Sequence, residues 1–309
     1  MNDQRKTKKK SGVWKNVRRH YQLYLFLVPS IVYVFIFCYV PLYGIQIAFR
    51  DYKATKGVMG SAWVGLKYFK QFFSSPSFGD LFRNTLALSF YSIAAGFPLP
   101  IILALFLNQC QNKKFKKVVQ NITYAPYFIS TVVLVGMLNL FLGINGPIAK
   151  LVELFGGTAD LYMGKPQYFR HVYVWSGVWQ TVGWNSIIYI AALTSVPAEL
   201  QEAAMVDGAN KWQRIWYIDL PSIKPTISIM LILSLGGVLG VGYEKVYLMQ
   251  NTMNIAVSEV ISTYVYKYGL QKVAYSYSTA IGLFNNVINF ILLLTVNRIS
   301  RHFSGNGLM

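Results

Sequence analysis

Residues 21–49 read YQLYLFLVPSIVYVFIFCYVPLYGIQIAF, from Tyr21 to Phe49 without one Asp, Glu, Lys or Arg. A helix that crosses a bilayer needs about 20 largely apolar residues, so the stretch predicts a membrane span. It follows a basic tail holding Arg5, Lys6, Lys8, Lys9, Lys10, Lys15, Arg18 and Arg19. A cleaved leader carries a shorter apolar core and a small-residue cleavage site. The length of this run therefore predicts a first helix that is retained.

The pattern recurs outward along the chain. Charge-free runs occupy 84–112, 118–149, 172–198, 226–243 and 273–297, which makes six predicted spans and an all-α membrane protein. The fifth run is the shortest and carries Gly236, Gly237, Gly240 and Gly242. Small residues let helix backbones approach closely in a membrane, so these glycines fit either a helix beside a pathway or a plain packing contact. Composition agrees: 54% of the 309 residues are hydrophobic and 13% are charged, against about 25% charged in soluble domains.

A net charge of +18 suits nucleic acid only when it is massed on one water-facing surface. In this chain the basic residues punctuate apolar runs, which points to topology and leaves no nucleic-acid partner. Lys and Arg concentrate in the short cytoplasmic loops of membrane proteins. The N-terminal tail, the cluster of Lys113, Lys114, Lys116 and Lys117, the loop with Lys211, Arg214 and Lys224, and the end with Arg298 and Arg301 all fall on one side of a six-span chain. Both termini are thus predicted to be cytoplasmic, with the loops 51–83, 150–171 and 244–272 outside. Residues 1–20 read as a basic cytoplasmic tail, 21–300 as the six-helix domain with a cytoplasmic loop at 195–225, and 301–309 as a second tail. Tyr21, Tyr24, Tyr124, Tyr127, Tyr173 and Trp175 lie near predicted span ends and read as interfacial anchors.

Cys38 and Cys110 have no paired spacing, and His20, His171 and His302 sit at run edges without a neighbouring cysteine or carboxylate at ligand spacing. Neither a disulfide framework nor a metal site is expected. No nucleophile with a base, and no pair of carboxylates, has a recognisable catalytic spacing, so no catalytic residue is assigned. The nearest phosphate-loop pattern, Gly60 to Gly65, has Leu66 where lysine is required. No cofactor is expected in this chain.

The most informative stretch runs from residue 202 to 221. Glu202, Ala203 and Ala204 favour a short helix, Gly208 permits a sharp reversal, and 211–217 resume a helical pattern that Pro221 is expected to end. A surface hairpin between two spans fits this description equally well. The spacing Glu-Ala-Ala, three residues, Gly, nine residues, Ile, one residue, Leu-Pro resembles the permease signature of binding-protein-dependent ATP-binding-cassette (ABC) importers. The resemblance implies the type I ABC importer permease fold. It also implies that Glu202, Ala203, Ala204 and Gly208 form an element coupled to an ATPase, supported by Asp207, Ile218, Leu220 and Pro221.

Further segments resemble the carbohydrate-uptake branch, in particular the polysaccharide and oligosaccharide permeases that work beside a lipoprotein receptor. They are Trp63 to Phe69, Asn84-Thr85, Tyr124 to Ser130, Tyr243 to Tyr247 and Ala280 to Asn285. Ala125, where leucine is expected, is a minor departure. The resemblance implies a second homologous permease, two copies of an ATPase that bind ATP and Mg, an extracellular lipoprotein solute-binding protein and an oligosaccharide substrate. The chain itself is then a multi-pass transport subunit of the cell membrane and not an enzyme. A gradient-driven carrier or channel subunit shares the six spans but has no use for an ATPase-docking signature. A membrane-embedded enzyme of glycan metabolism lacks the chemistry.

Sugars present hydroxyls and flat ring faces, which amide and aromatic side chains match. The fourth run offers Trp179, Gln180, Trp184 and Asn185, and Gln180 and Trp184 share a helical face. Polar groups inside a membrane must be paired or face water, so Gln180 and Asn185 either line a cavity or bond neighbouring helices. Asn285, Asn286 and Asn289 pose the same choice. Tyr243, Glu244 and Asn285 complete the candidate pathway set. Glu244, the only carboxylate directly adjoining a run on the outer side, reads as an interfacial charge or partner contact rather than an ion-coupling group.

Overall fold

A computed structural model describes residues 18–240 and 242–304. The predicted tails at 1–20 and 301–309 lie outside the described residues up to residue 17 and from residue 305. The chain divides into two compact units, Met1–Gly65 and Leu66–Met309.

In the first unit the run at Tyr21–Phe49 is helical throughout, but not as one regular α-helix. Pro29 lies inside the α-helix Tyr21–Val34, a widened π turn follows at Phe35–Tyr39, and a tighter 3-10 stretch at Val40–Phe49 has proline near its start. Proline withholds a backbone donor, and such local changes of pitch restore the bonding that remains. The helix leads into an antiparallel pair, Arg50–Asp51 with Ala62–Trp63, in the register Arg50 to Trp63. Phe49 stacks on Trp63, and Arg50 donates to the Ser61 carbonyl at 2.9 Å.

The second unit is built around the helix Pro166–Thr194, 29 residues long, which buries Phe169, Tyr173, Val174, Val178, Gly183, Ser186, Tyr189 and Leu193. Against it pack Ser77–Gly96, Pro98–Asn108, Lys113–Tyr124 and Leu220–Gly236. One apolar core surrounds Phe169, Val174 and Val178, and a second surrounds Ala104, Tyr189, Ile215 and Ile223. A third, of Phe72, Leu81, Ile261, Tyr264 and Ile281, joins the last long helix, Tyr275–Ser304, to Lys67–Phe73.

Among the described residues four helices are long and apolar enough to cross a membrane: Tyr21–Phe49, Ser77–Asn108, Lys211–Gly236 and Tyr275–Arg298. A bent pair, Lys113–Phe128 with Thr131–Phe141, makes a fifth if it is counted as one span. The third predicted span is thus not one straight helix. Its two parts meet at 100°, because Pro126 interrupts the ladder and Ser130 caps a new helix by accepting from Val133. The helix Pro166–Thr194 has the length of a span but is more polar, carrying Gln167, Arg170, His171, Gln180 and Asn185.

Two boundaries also differ from expectation. The second helix begins at Ser77, not near residue 84, since Asp80 and Arg83 interrupt a charge-free run without interrupting a helix. The fifth ends at Gly236, and Gly237 to Gly240 and Gly242 are not helical.

Gly183 is where two helices touch. A Cβ there would collide with the backbone carbonyl of Thr123. Gly183→Leu therefore drives the Lys113–Tyr124 helix off its seat, at a cost of about 1–3 kcal/mol or more. Thermal unfolding of the purified protein should show a clear loss of Tm, whereas Gly136→Ala, whose Cβ meets nothing within 4 Å, should not.

Candidate functional site

The Pro166–Thr194 helix ends at Ser195, and Pro197 precedes a short helix, Ala198–Val206. None of its residues is buried; Val206 is 89% exposed and Leu200 51%. The helix stops because Gly208 takes φ +79°, a left-handed conformation that glycine adopts without a side-chain clash. Ala209 N–H donates to Ala204 O at 2.8 Å, and Gly208 N–H to Met205 O at 3.1 Å. These are the two bonds of a Schellman cap.

The chain restarts at once. Asn210 and Gln213 form a reciprocal capping box, with Gln213 N–H donating to Asn210 Oδ1 at 2.9 Å and Asn210 N–H to Gln213 Oε1 at 2.7 Å. Pro221 does not end the helix begun at Lys211, contrary to the sequence expectation. A π turn at Ile215–Asp219 carries the chain into Leu220–Gly236 with Pro221 in its first turn, where a missing N–H does least harm.

The reversal is pinned from beneath by Asp219, which is fully buried. Its Oδ1 accepts from Gln201 Nε2 at 2.8 Å and Asn108 Nδ2 at 3.1 Å, and its Oδ2 from Gln109 Nε2 at 2.6 Å. One carboxylate thus ties the exposed helix to the end of Pro98–Asn108 and to the foot of Leu220–Gly236. Sequence reasoning passed over Asp219, although a single acid among Ile215, Trp216, Tyr217, Ile218 and Leu220 was a visible signal. Of the residues it did single out, Glu202, Ala203, Asp207 and Gly208 are exposed, Ala204 and Ile218 are half-buried, Leu220 packs against the core beneath, and Pro221 is exposed.

The pathway candidates separate into two places. Gln180 donates to Ile129 O at 2.7 Å, meeting a carbonyl at the bend of the third span. Trp184 stacks on Tyr127 at 4.3 Å with the rings within 3° of parallel. The shared face of Gln180 and Trp184 is therefore turned to that bend. Trp179 is exposed and lines an apolar cavity of about 340 Å³ with Met137, Phe141 and Trp175, and Asn185 is exposed.

Asn285 lies elsewhere, donating to Leu239 O at 3.4 Å while Asn289 Oδ1 accepts from Leu239 N–H at 2.9 Å. Ser89 donates to Val238 O. These side chains supply bonds to the non-helical stretch after Gly236; irregular backbone at membrane depth requires such partners. Asn285 Oδ1 is buried without a partner among the described residues. Tyr243 packs against Tyr247 and Tyr266, and Glu244 is exposed. Lys245, just past the apolar run, donates to Tyr173 O at 2.9 Å, and burial pushes its ammonium down to about 8.

Residues 96–305 match the family described as binding-protein-dependent transport system inner membrane component. The chain is 41% identical, over 98% of its length and 95% of the relative's, to the polygalacturonan/rhamnogalacturonan transport system permease protein YteP of Bacillus subtilis strain 168. It is also 41% identical to the protein LplB of the same organism, over 94% of this chain and 92% of that one. The crystal structure of a bacterial ABC transporter involved in the import of the acidic polysaccharide alginate contains a chain that superposes with a TM-score of 0.87 at 38% identity, covering 94% of this chain and 99% of that one. The exposed helix, its glycine turn and the pinned return thus belong to a multi-pass inner-membrane protein with the type I ABC permease fold, and the chain is a member of the binding-protein-dependent transport inner membrane component family.

Proposed function

We propose that this chain is a permease subunit of an ATP-driven importer that takes oligosaccharides from an extracellular solute-binding protein. The observation that carries the reading is the 41% identity over 98% of the chain to a polygalacturonan/rhamnogalacturonan permease. The six crossings are the four apolar helices, the bent pair and Pro166–Thr194, with both termini in the cytoplasm, where the Lys-rich loops lie. A second homologous permease completes the pathway. Two ATPase subunits, which bind ATP and Mg, cover the apolar face of Ala198–Val206.

Glu202, Ala203, Ala204 and Gly208 then act as the coupling element, with Asp207, Ile218, Leu220 and Pro221 behind them. ATP-driven closure moves this element, and the movement reaches the spans through Asp219 and the continuous helix Lys211–Gly236. Trp179, Gln180, Trp184, Asn185, Tyr243, Glu244 and Asn285 are assigned to the pathway and its walls, offering ring faces and amides to a hydroxyl-rich solute.

Tagged protein extracted from its native membrane should co-purify with an ATPase, a second permease and a glycan receptor, identified by mass spectrometry. ATP hydrolysis by that complex should rise when receptor and glycan are added. A stable complex free of ATPase, from a membrane whose uptake follows an ion gradient, would transfer the chain to the carrier class.

A further inference from the structure

The three outer loops contain eleven Lys and Arg against six Asp and Glu. That excess runs against the usual confinement of basic residues to the cytoplasmic side, so it calls for a cause other than topology. One of these residues, Arg170, lines a cavity. A pocket of about 560 Å³ is lined by Ala87, Tyr91, Gln167, Arg170, His171 and Val257, with Pro166 at its edge; small-molecule sites run from about 300 to 1,000 Å³.

No carboxylate lines this pocket. Arg170 is held by an amide and not by an acid: its Nη2 donates to Asn84 Oδ1 at 2.9 Å, and Asn84 in turn donates to the carbonyls of Ala256 and Glu259. Glu259, the acid of that loop, is engaged by Lys267 at 2.8 Å. Arg170 Nε is buried and makes no hydrogen bond among the described residues. Arg170 also faces the like charge of nearby Arg83, a repulsion that an arriving anion offsets.

The other walls favour a sugar over a bare ion. Trp175 Nε1–H donates to Tyr91 OH at 2.9 Å, and Tyr91 OH and His171 Nδ1 share a hydrogen bond, also of 2.9 Å. The other ring nitrogen of His171, Nε2, is then left for a sugar hydroxyl, which can donate or accept as the imidazole requires. Gln167 adds an amide, and Tyr91 with Val257 adds apolar surface.

We propose that this pocket binds a uronate unit of the transported oligosaccharide, its carboxylate on Arg170, with the charge of nearby Arg83 in support, and its hydroxyls on His171 and Gln167. The proposal rests on the importer reading and narrows its substrate to acidic sugars.

Saturation-transfer NMR titration of the intact co-purified complex in phosphatidylcholine nanodiscs provides the test, with trigalacturonate and its fully methyl-esterified counterpart as probes. The acid should bind tighter than the ester by roughly tenfold or more, the scale of one charge-assisted pair. Arg170→Gln should erase that preference, acid and ester then binding alike, with the complex yield reporting that the assembly survives. Arg83→Gln, at an exposed position, should weaken the preference in the same direction.

Equal affinity for acid and ester in the wild type, or a preference that survives both substitutions, overturns the proposal while the importer reading stands. So does an Arg170-dependent retention of phosphatidylglycerol in native mass spectrometry without any sugar preference, which would make the pocket a lipid headgroup site. Absence of an ATPase from the complex defeats the importer reading instead, and it is scored from the purification before any sugar is added.

Discussion

Gly208→Val should abolish ATP-driven sugar uptake while the protein still reaches the membrane at wild-type level. Gly208 holds φ +79°, and no atom lies within 4 Å of where its Cβ would be. The fault introduced by valine is then one of backbone conformation and not of crowding. A β-branched residue in the left-handed region is strained by about 1–3 kcal/mol, and the loop relieves that strain by giving up the bonds from Ala209 to Ala204 and from Gly208 to Met205. The Ala198–Val206 helix then loses its aim while the buried cores, none of which contains Gly208, stay intact. Gly208→Asn, which tolerates the left-handed region better, should keep a measurable fraction of uptake. Radiolabelled sugar uptake, normalised to membrane protein by immunoblot, separates the two. Normal uptake by the valine variant would remove the loop from the mechanism.

The second large effect is expected at Asp219. Asp219→Leu leaves the amides of Gln201, Asn108 and Gln109 facing a buried apolar side chain, and each orphaned donor costs about 1–3 kcal/mol. Three such losses fall on the segments that join the exposed helix to the spans, so transport should fail through loss of coupling. The expected signature is ATP hydrolysis by the complex that no longer responds to receptor and glycan. Asp219→Asn keeps one acceptor oxygen and sets an NH2 against at least one amide donor, so it should fall between the wild type and the leucine variant. Gln201→Leu removes only one bond. A double-mutant cycle between Gln201 and Asp219 should return a coupling energy of about 0.5–3 kcal/mol. A value near zero, with hydrolysis still responsive, would reduce Asp219 to a packing residue.

The membrane class and the family were legible because both rest on local pattern. Charge-free runs mark spans, and the spacing from Glu202 to Pro221 marks the family. The turn at Gly208 was equally local, since the sequence needs one residue free to take a positive φ and supplies glycine. What escaped was set by partners far away in the chain. Asp219 meets residues 110 and 111 positions earlier. The unwinding after Gly236 is met by Ser89, Asn285 and Asn289, and no propensity scale joins those positions. The bend near Ile129 was hidden by uniform hydropathy: Pro126 sits in a run that scores as a span however it is folded. Arg170 and Arg83 lay in loops set aside as connections between spans, and only the packing of Ser77–Gly96 against Pro166–Thr194 brings their charges together.

The anchor beneath the reversal also differs in kind from a surface ion pair. Attraction between exposed charges fades as dissolved ions crowd around them, within about 8 Å at 0.15 M. Asp219 is fully buried and its three described partners are all neutral amides, so mobile ions have no access to the contact. The joint between the exposed helix and the rest of the fold should therefore hold as rising salt slackens surface ion pairs.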